Sequence, residues 1–323
     1  YSQNSFADKM YPHDKPKEEC GVFGVICKDQ TVHVAQICYQ GLIAIQHRGQ
    51  QAAGLTVVDT KKNIYTYTDV GLVNEAIPLN ILARLWGHAS IGHVKYETSE
   101  FETEISTQPF HFKANNTEFS ISFNGRLTNA QQLKNKLIEK GRIFFSNSNS
   151  EIIAQIIASN TDRTTDWVEN LQMTQAVLEG AYAMIILTKE GNIYGMRDPY
   201  GIKPLIFGKG KYFDTELLMI SSESCAFDLI DAKIVRDIQP GEIVFFNKDI
   251  ELTTKAILER QNKRVYHCMY EYIYIARPDS ILDGKSVYKV RENAGIHLAR
   301  MDENEPEIDK QNAIVIPIPD SGK

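Results

Sequence analysis

The sequence predicts an α+β fold in which sheets and helices are stacked as a layered sandwich. Strand-like apolar stretches and stretches with helical spacing come in runs along the 323 residues, rather than in strict alternation. Runs of this kind favour a layered sandwich over a doubly wound parallel sheet. The chain contains no internal repeat and no low-complexity tract.

The elements of the first half are predicted from apolar spacing. A buried strand is expected from Val22 to Ile26, beside two glycines, and a helix from Val34 to Gln46. Further strands are expected over 52–58, 64–68, 90–96 and 118–123. The last of these should end at a turn formed by Asn124-Gly125, because this dipeptide is typical of tight hairpin turns.

The second half continues with helices and then with short strands. Helices are predicted over 130–140, 150–158 and 167–178, and strands over 182–188, 192–196, 205–208, 217–221 and 241–247. After residue 260 the composition shifts to an aromatic-rich stretch (264–276), a helix (286–300), an acidic linker (302–309) and an apolar strand (313–318). A buried parallel strand needs neighbours on both sides. We therefore expect a second domain that is truncated at Lys323.

Composition excludes several classes of protein. With 43% apolar and 24% charged residues the chain is ordinary for a globular protein, and its net charge of −6 lacks the basic footprint of a nucleic-acid binder. No apolar run approaches the ~18 residues of a membrane span, and residues 1–19 do not have the apolar core of a signal peptide. Five irregularly spaced cysteines argue against a disulfide framework. A cytoplasmic protein with no nucleic-acid or membrane partner is expected.

Three short motifs carry candidate chemistry, and each also has a plain structural explanation. Cys20 alone is a weak signal, because most lone cysteines are small core residues. Asn124 and Gly125 could supply a side-chain amide and a backbone N–H, the two donors of an oxyanion hole. His47 and Arg48 could simply cap the C-terminus of the preceding helix.

Taken together, ten ordered motifs resemble the amidophosphoribosyltransferase family. They are Glu18–Gly24, Gln46–Gln50 with Ala53-Gly54, Ile91–Val94, Gln108–Phe110, Asn124-Gly125, Arg197–Gly201, Ser221–Cys225, Pro240–Glu242, Arg277–Ser280 and Ile316–Gly322. The resemblance implies a four-layer αββα N-terminal-nucleophile sandwich over 20–260. It also implies a leader or propeptide over 1–19, where Met10 could be the native start and 1–9 added sequence. An incomplete α/β phosphoribosyltransferase domain should follow over 261–323.

The resemblance also implies a mechanism, in which removal of the leader frees the α-amino group of Cys20. That amine, with a reference pKa of about 7.7–8.0, can act as the base for its own thiol. Cys20 would attack the side-chain amide of glutamine while Asn124 and Gly125 hold the oxyanion. The released ammonia would displace pyrophosphate from phosphoribosyl pyrophosphate in the second domain, a step of purine biosynthesis. While a leader remains, the nitrogen of Cys20 is a peptide nitrogen, so the glutaminase step is expected to be absent.

The glutamine pocket implied by the resemblance involves Lys95, Asn149, Arg48 and Gly49. Lys95 stands where the family usually has arginine, and lysine lacks the bidentate fork that grips a carboxylate. Asn149 stands where the family usually has aspartate, so a charge is lost opposite the substrate ammonium. Phe123 replaces a histidine beside the Asn-Gly pair. The two altered contacts predict glutamine binding weaker by about tenfold to a few hundredfold.

Two alternative functions therefore stay open. One is a paralogue with a silent glutaminase domain, which would use free ammonia or serve a regulatory or scaffolding role. The other is a different class II amidotransferase, such as a hexosamine-forming or asparagine-forming enzyme. Arg277–Ser280 and Ile316–Gly322 speak against the second, since they resemble the phosphoribosyl side.

The family resemblance also bears on cofactors and assembly. No cofactor is predicted with certainty in this segment, although Mg²⁺ is expected for the missing part of the second domain. Cys268 stands where some family members place a ligand of an iron–sulfur cluster, but members without a cluster also have cysteine there. A homodimer or homotetramer is expected.

Overall fold

The computed structural model describes residues 20–96, 107–114, 117–249, 252–258 and 264–301, with isolated positions at 312, 314 and 316. Its strands are β1 (Cys20–Cys27), β2 (Ala52–Val58), β3 (Ile64–Val70), β4 (Ala89–Lys95), β5 (Phe110–Ala114), β6 (Thr117–Leu127), β7 (Gly180–Thr188), β8 (Ile193–Arg197), β9 (Ile206–Tyr212), β10 (Thr215–Ser221), β11 (Lys233–Asp237), β12 (Glu242–Phe246), β13 (Thr253–Ile257), β14 (Ile281–Leu282) and β15 (Lys285–Ser286).

The helices are fewer and most are short. They are α1 (Ala35–Ala44), α2 (Val73–Ala76), α3 (Leu79–Leu82), α4 (Ala130–Glu139), α5 (Asn149–Asn160), α6 (Trp167–Val177), α7 (Cys225–Asp228) and α8 (Val287–Met301). A 3₁₀ turn (Gln46–Arg48) follows α1, and a π-helical turn (Glu271–Ile275) precedes the β14–β15 hairpin.

Two antiparallel sheets form the centre of the molecule. The first has seven strands in the order β11-β9-β10-β1-β4-β2-β3, and the second has six in the order β13-β12-β8-β7-β6-β5. Antiparallel pairing throughout both sheets agrees with the α+β class predicted from the runs of strands and helices.

Three buried apolar clusters define four layers. One cluster lies between the two sheets and includes Val22, Ile91 and Ile185. A second joins the outer face of the first sheet to α1 and α7, and a third joins the second sheet to α4, α5 and α6. The αββα sandwich is thereby confirmed. Every residue of β1 is buried because the strand has a core on each of its faces.

Close packing of α1 on β1 depends on a glycine. A Cβ atom added at Gly41 would stand 2.7 Å from the ring of Phe23. The absent side chain lets this aromatic ring fill the interface between helix and sheet, where it is completely buried. This contact fixes the strand that begins at Cys20.

The predicted turn at Asn124-Gly125 is wrong. Both residues lie inside β6, which stays paired with β7 as far as the pair Leu127↔Gly180. The local turn propensity of the dipeptide is overridden by this long antiparallel ladder. Five strands of the described structure were not predicted: β5, β11 and β13 each stand at the edge of a sheet, and β14 and β15 form a separate two-stranded hairpin. The predicted domain boundary at 260 and most of the predicted strand 313–318 lie outside the described residues.

The segment 264–301 packs against the end of the sandwich. Arg197 at the end of β8 makes a two-pronged ion pair with Asp283, with N–O distances of 2.7 and 2.8 Å. The N–H of Ile281 donates to the hydroxyl of Ser224 at 2.8 Å. In the ranges that the structure describes, no helix is both long and apolar enough to cross a membrane.

Candidate active site

The two sheets bring Cys20 and Asn124 together. Cys20 is the first residue of β1 and pairs with Lys95 of β4. Its backbone N–H donates to the Oδ1 atom of Asn124, on β6 of the other sheet, at 3.3 Å. Asn124 is completely buried, and its Nδ2 group has no partner among the residues that the structure describes. A buried amide donor therefore lies next to the nucleophile candidate.

Gly125 continues β6 in a conformation that other residues rarely adopt. Its φ angle is +144°, and an added Cβ atom would lie 2.1 Å from the carbonyl oxygen of Ala181 on β7. Only glycine lets β6 and β7 approach this closely. Gly125 thus continues the strand beside Asn124 in a conformation that suits glycine alone.

Gly49 and Lys95 complete the immediate surroundings of Cys20. A Cβ atom added at Gly49 would stand 2.5 Å from the carbonyl carbon of Lys95, so the two main chains are in direct contact. Lys95 also pairs with Ala52 of β2, and its side chain is buried. Sequence-predicted residues from four separate motifs therefore converge at the start of β1.

The side chain of Arg48, predicted to bind substrate, is instead engaged by protein groups. Its Nε atom donates to the carbonyl oxygen of Cys20 at 3.0 Å. Its terminal nitrogens donate to Glu223 at 2.6 Å and to Glu271 at 2.8 and 2.9 Å. Burial alone would lower the pKa of Arg48, but the two carboxylates outweigh it and raise this pKa. Arg48 is a charged anchor for the main chain of Cys20.

Glu223 is the hub of this ion-pair cluster. Besides the guanidinium it accepts from His47 Nε2 at 2.8 Å, from the N–H of Arg277 at 3.0 Å and from the hydroxyl of Ser280 at 2.9 Å. Burial would raise its pKa, but the positive charge of the guanidinium prevails and brings it to about 2. Potential ligand atoms of His47, Glu223 and Cys225 lie within 4.8 Å of one another. The adjoining guanidinium supplies the positive charge there, so we interpret the group as an ion-pair network, not a metal site.

Asn149 is held in a separate, well-ordered corner as the first residue of α5. Ser148 caps this helix by accepting from the N–H of Glu151 at 3.2 Å. The buried carboxylate of Glu151 accepts from the N–H groups of Phe145 and Ser146 at 2.8 and 2.7 Å. The cap fixes the chain around Asn149, although none of the contacts of the described residues joins Asn149 to Cys20.

The side chain of Phe123 points away from Cys20 and Asn124. It is buried in the cluster between the second sheet and the helices, and its ring is stacked 6.2 Å from that of Tyr182. Neighbouring residues of a strand face opposite sides, so Phe123 and Asn124 lie on opposite faces of β6. The side chain of Phe123 therefore belongs to the apolar core and not to the corner formed by Cys20 and Asn124.

Three residues of the site were missed as functional candidates from the sequence. Glu223 and Glu271 are buried anions that hold Arg48, and Gln108 is bonded to the main chain of Phe123. Glu271 is a lone acid in an aromatic stretch, and Glu223 a lone acid among small residues. Because acids are almost never buried without a partner, both patterns could have predicted an ion pair. Cys268 is half-buried and belongs to no cluster of three possible metal ligands in the described part of the chain; its cluster role stays a prediction.

Comparison with known proteins agrees with this arrangement. Residues 94–228 match a family described as a glutamine amidotransferase domain. The chain is 39% identical over 316 residues to the amidophosphoribosyltransferase of Methanocaldococcus jannaschii, covering 94% of this chain and 64% of that protein. It is 35% identical over 312 residues to the amidophosphoribosyltransferase of Methanothermobacter thermautotrophicus, covering 97% and 63%.

A solved structure supports the same relationship. Glutamine phosphoribosylpyrophosphate amidotransferase from B. subtilis, complexed with ADP and GMP, matches with a TM-score of 0.77 and 32% identity. The match covers 94% of this chain and 62% of that one. This chain thus spans about three-fifths of the length of the curated relatives it matches. The resemblance to the amidophosphoribosyltransferase family inferred from the motifs is confirmed.

Proposed function

We propose, from the likeness of this chain to amidophosphoribosyltransferases over nearly its whole length, that it forms the glutaminase part of such an enzyme. In this proposal it hydrolyses glutamine and hands ammonia to a phosphoribosyltransferase domain. That domain, which begins within this chain, uses the ammonia to displace pyrophosphate from phosphoribosyl pyrophosphate. The product would enter purine biosynthesis.

The chemistry starts when the bond before Cys20 is cut. The new α-amino group takes the thiol proton, and the thiolate attacks the amide carbon of the glutamine side chain. Asn124 Nδ2 and the N–H of Gly125 donate to the resulting oxyanion. The tetrahedral intermediate collapses, the protonated amide nitrogen leaves as ammonia, and a thioester remains on Cys20. Water then attacks the thioester, glutamate departs, and the thiol regains its proton.

One observation carries the proposal. Asn124 accepts from the backbone N–H of Cys20 at 3.3 Å with Oδ1, while its buried Nδ2 group keeps its donors unused within the described structure. A buried donor without an acceptor costs roughly 1–3 kcal/mol, and oxyanion stabilisation explains that cost. Asn124 thus touches the position of the future amine with one atom and offers the oxyanion a donor with the other.

The test is glutamate release from glutamine by protein whose mass establishes a chain beginning at Cys20. Asn124→Ala should lower kcat by about 10²–10³-fold with little change in KM. Asn170→Ala serves as the matched control, because Asn170 is also a buried asparagine but donates to the carbonyl of Ile157 in the helical layer. Wild-type kcat in Asn124→Ala would rule out the proposed oxyanion hole.

A silent glutaminase remains the second candidate, and Lys95 and Asn149 favour it. Both replace residues that the family uses to grip the ends of glutamine, and each replacement weakens a charge-assisted contact. Phe123 gives this candidate no support, because its side chain packs in the core. A chain beginning at Cys20 that releases no glutamate at millimolar glutamine, yet retains its fold, would favour the silent domain.

The remaining partners belong to the same proposal. Phosphoribosyl pyrophosphate and Mg²⁺ are proposed ligands of the downstream domain, and a cytoplasmic homodimer or homotetramer is proposed for the assembled enzyme. Sedimentation of the purified protein would measure the oligomeric state. A monomer at every concentration would contradict that part of the proposal.

A further inference from the structure

Phe123, the residue before Asn124, has no strand partner among the described residues on the side of β6 that faces β5. The ladder between β5 and β6 runs from Ala114↔Thr117 to Phe110↔Ile121. One rung further, the same register would place Phe123 opposite Gln108. β5 begins only at Phe110, so no ladder rung forms between Gln108 and Phe123.

The side chain of Gln108 occupies the place of the missing rung. Its Oε1 atom accepts from the N–H of Phe123 at 2.8 Å, and its Nε2 group donates to the carbonyl oxygen of Phe123 at 3.3 Å. One side-chain amide therefore satisfies both backbone groups of a single residue, as a neighbouring strand would. Gln108 is more than nine-tenths buried, so water does not compete freely for these bonds.

His93, from β4 of the other sheet, makes a second contact with the same carbonyl. Its Nε2 atom lies 3.0 Å from the oxygen of Phe123 and must donate, because a carbonyl oxygen can only accept. Burial is the main reason that the pKa of His93 falls to about 3, so the ring is neutral near pH 7. The peptide group between Phe123 and Asn124 is thus held by donors from two directions.

A glycine makes room for this arrangement. A Cβ atom added at Gly54, on β2, would stand 2.6 Å from the carbonyl oxygen of Gln108. The main chain of Gln108 is therefore packed against the first sheet while its side chain reaches β6 of the second. Because its main chain and its side chain are both held, Gln108 can fix the position of β6 relative to the first sheet.

Backbone alternation connects Gln108 to the oxyanion hole. In an antiparallel sheet, the N–H groups of alternate residues point to the same side of a strand. The N–H of Phe123 points towards Gln108, so that of Gly125 points to the same side of β6, beyond the end of β5. The bonds to Gln108 consequently act on the strand edge that presents the N–H of Gly125.

We propose that Gln108 is a positioning residue, whose side-chain amide replaces a strand at Phe123 and thereby fixes the oxyanion donors of Asn124 and Gly125. This inference rests on the proposed glutaminase function. It adds to that function a residue that touches neither glutamine nor Cys20. Misplacement of catalytic donors by about 1 Å can cost on the order of 10²-fold in rate.

The test compares Gln108→Ala with Gln175→Ala. Gln175 is a matched control, because it too is a buried glutamine whose Nε2 donates to a backbone carbonyl, that of Arg197, at 3.2 Å. In Gln108→Ala we expect kcat for glutamine hydrolysis to fall by about 10- to 100-fold, with KM within about twofold. Alkylation of Cys20 by iodoacetamide should stay within about twofold of wild type, because this reaction forms no oxyanion.

Hydrogen exchange gives a readout that needs no catalysis. The amide of Phe123 should exchange at least about tenfold faster in Gln108→Ala and at the wild-type rate in Gln175→Ala. Gln108→Glu keeps an acceptor for the N–H of Phe123 but loses the donor to its carbonyl oxygen, so protection should stay below that of wild type. If wild type releases no glutamate, the proposed function fails, and the exchange at Phe123 still decides whether Gln108 holds this strand. Two results in Gln108→Ala would overturn the inference. One is unchanged amide exchange over 121–126. The other is a loss of kcat accompanied by equal losses in the Cys20 alkylation rate and in thermal stability.

Discussion

Replacing Arg48 by methionine should destabilise the protein, and by less at pH 4 than at pH 7. The guanidinium is completely buried between Glu223 and Glu271 and also donates to the carbonyl oxygen of Cys20. Methionine approximates the length of the arginine side chain but carries no charge. The variant therefore leaves two buried carboxylates without their main counter-charge, while the void it creates is small.

The expected loss can be worked from the pKa of Glu223. This pKa lies near 2, against an ordinary value of 4.5, and one pKa unit corresponds to about 1.4 kcal/mol. The net lowering, in which the positive groups outweigh the effect of burial, therefore corresponds to about 3–4 kcal/mol at neutral pH. Removal of one partner from a buried ion pair costs ~3–5 kcal/mol in other proteins, so we expect a loss of about 3 kcal/mol.

The pH dependence follows from the sign of the shift. Because the folded pKa of Glu223 is depressed, its contribution is complete above about pH 4.5 and is lost as the pH falls towards 2. Without Arg48, burial dominates and raises the pKa of Glu223, so the variant binds a proton more readily when folded. The difference in unfolding free energy between wild type and Arg48→Met should therefore shrink between pH 7 and pH 4.

Urea unfolding at both pH values measures this difference. Arg197→Met is the matched control, because Arg197 is also buried and paired with a carboxylate but makes no contact with Cys20. Arg48→Met, unlike Arg197→Met, should also alter the alkylation rate of Cys20, since Arg48 donates to the carbonyl oxygen of that residue. A stability loss below about 1 kcal/mol, or one that grows towards pH 4, would refute the assigned role of the buried charges.

Three further predictions concern Gly125, His93 and the glutamine pocket. Gly125→Ala should lower the free energy of unfolding in urea by on the order of 3 kcal/mol, because its Cβ would meet the main chain of β7. Gly141→Ala is the control, because Gly141 is also at positive φ but has no neighbour within 4 Å, and it should cost only about 1–2 kcal/mol. His93 has a folded pKa of about 3 against 6.5, so stability falls as the pH drops from 6.5 towards 3. His93→Asn should flatten that slope by up to about 1.4 kcal/mol per pH unit, and an unchanged slope would contradict the buried neutral ring. Lys95→Arg combined with Asn149→Asp should lower KM for glutamine by about tenfold or more in initial-rate assays; an unchanged KM would remove both residues from the pocket.

Most elements with a buried face could be predicted from the sequence, whereas β3 was the only predicted strand among those at the edges of the described sheets. The helix predicted over 34–46 and the strand predicted over 52–58 correspond closely to α1 and β2, because each carries an apolar pattern that a core requires. By contrast β11 and β13 lie at sheet edges and are largely exposed. The strand conformation of β11 and β13 depends on pairing with a neighbouring strand, and their own residue types do not indicate that pairing.

The site shows the same division between local and long-range information. The motifs predicted that Cys20, Asn124 and Gly125 act together, and the structure brings them together from two sheets. The role of Arg48 could not be inferred, because its partners Glu223 and Glu271 are 175 and 223 residues away in sequence. Gln108 was visible as part of a motif, but its function depends on the register between β5 and β6.

The two departures from the family pattern that the resemblance implies, Lys95 and Asn149, predict a defect in glutamine binding and not in the chemical step. The proposed oxyanion donors, Asn124 and Gly125, lie beside Cys20, and Phe123 packs on the opposite face of the strand. Lys95 and Asn149 differ at positions assigned to the two ends of glutamine. Contacts made equally in the ground state and in the transition state change KM and leave kcat unaltered. A chain freed at Cys20 should therefore show a raised KM for glutamine together with an ordinary kcat, whereas a lowered kcat at saturating glutamine would locate the defect in the oxyanion corner itself.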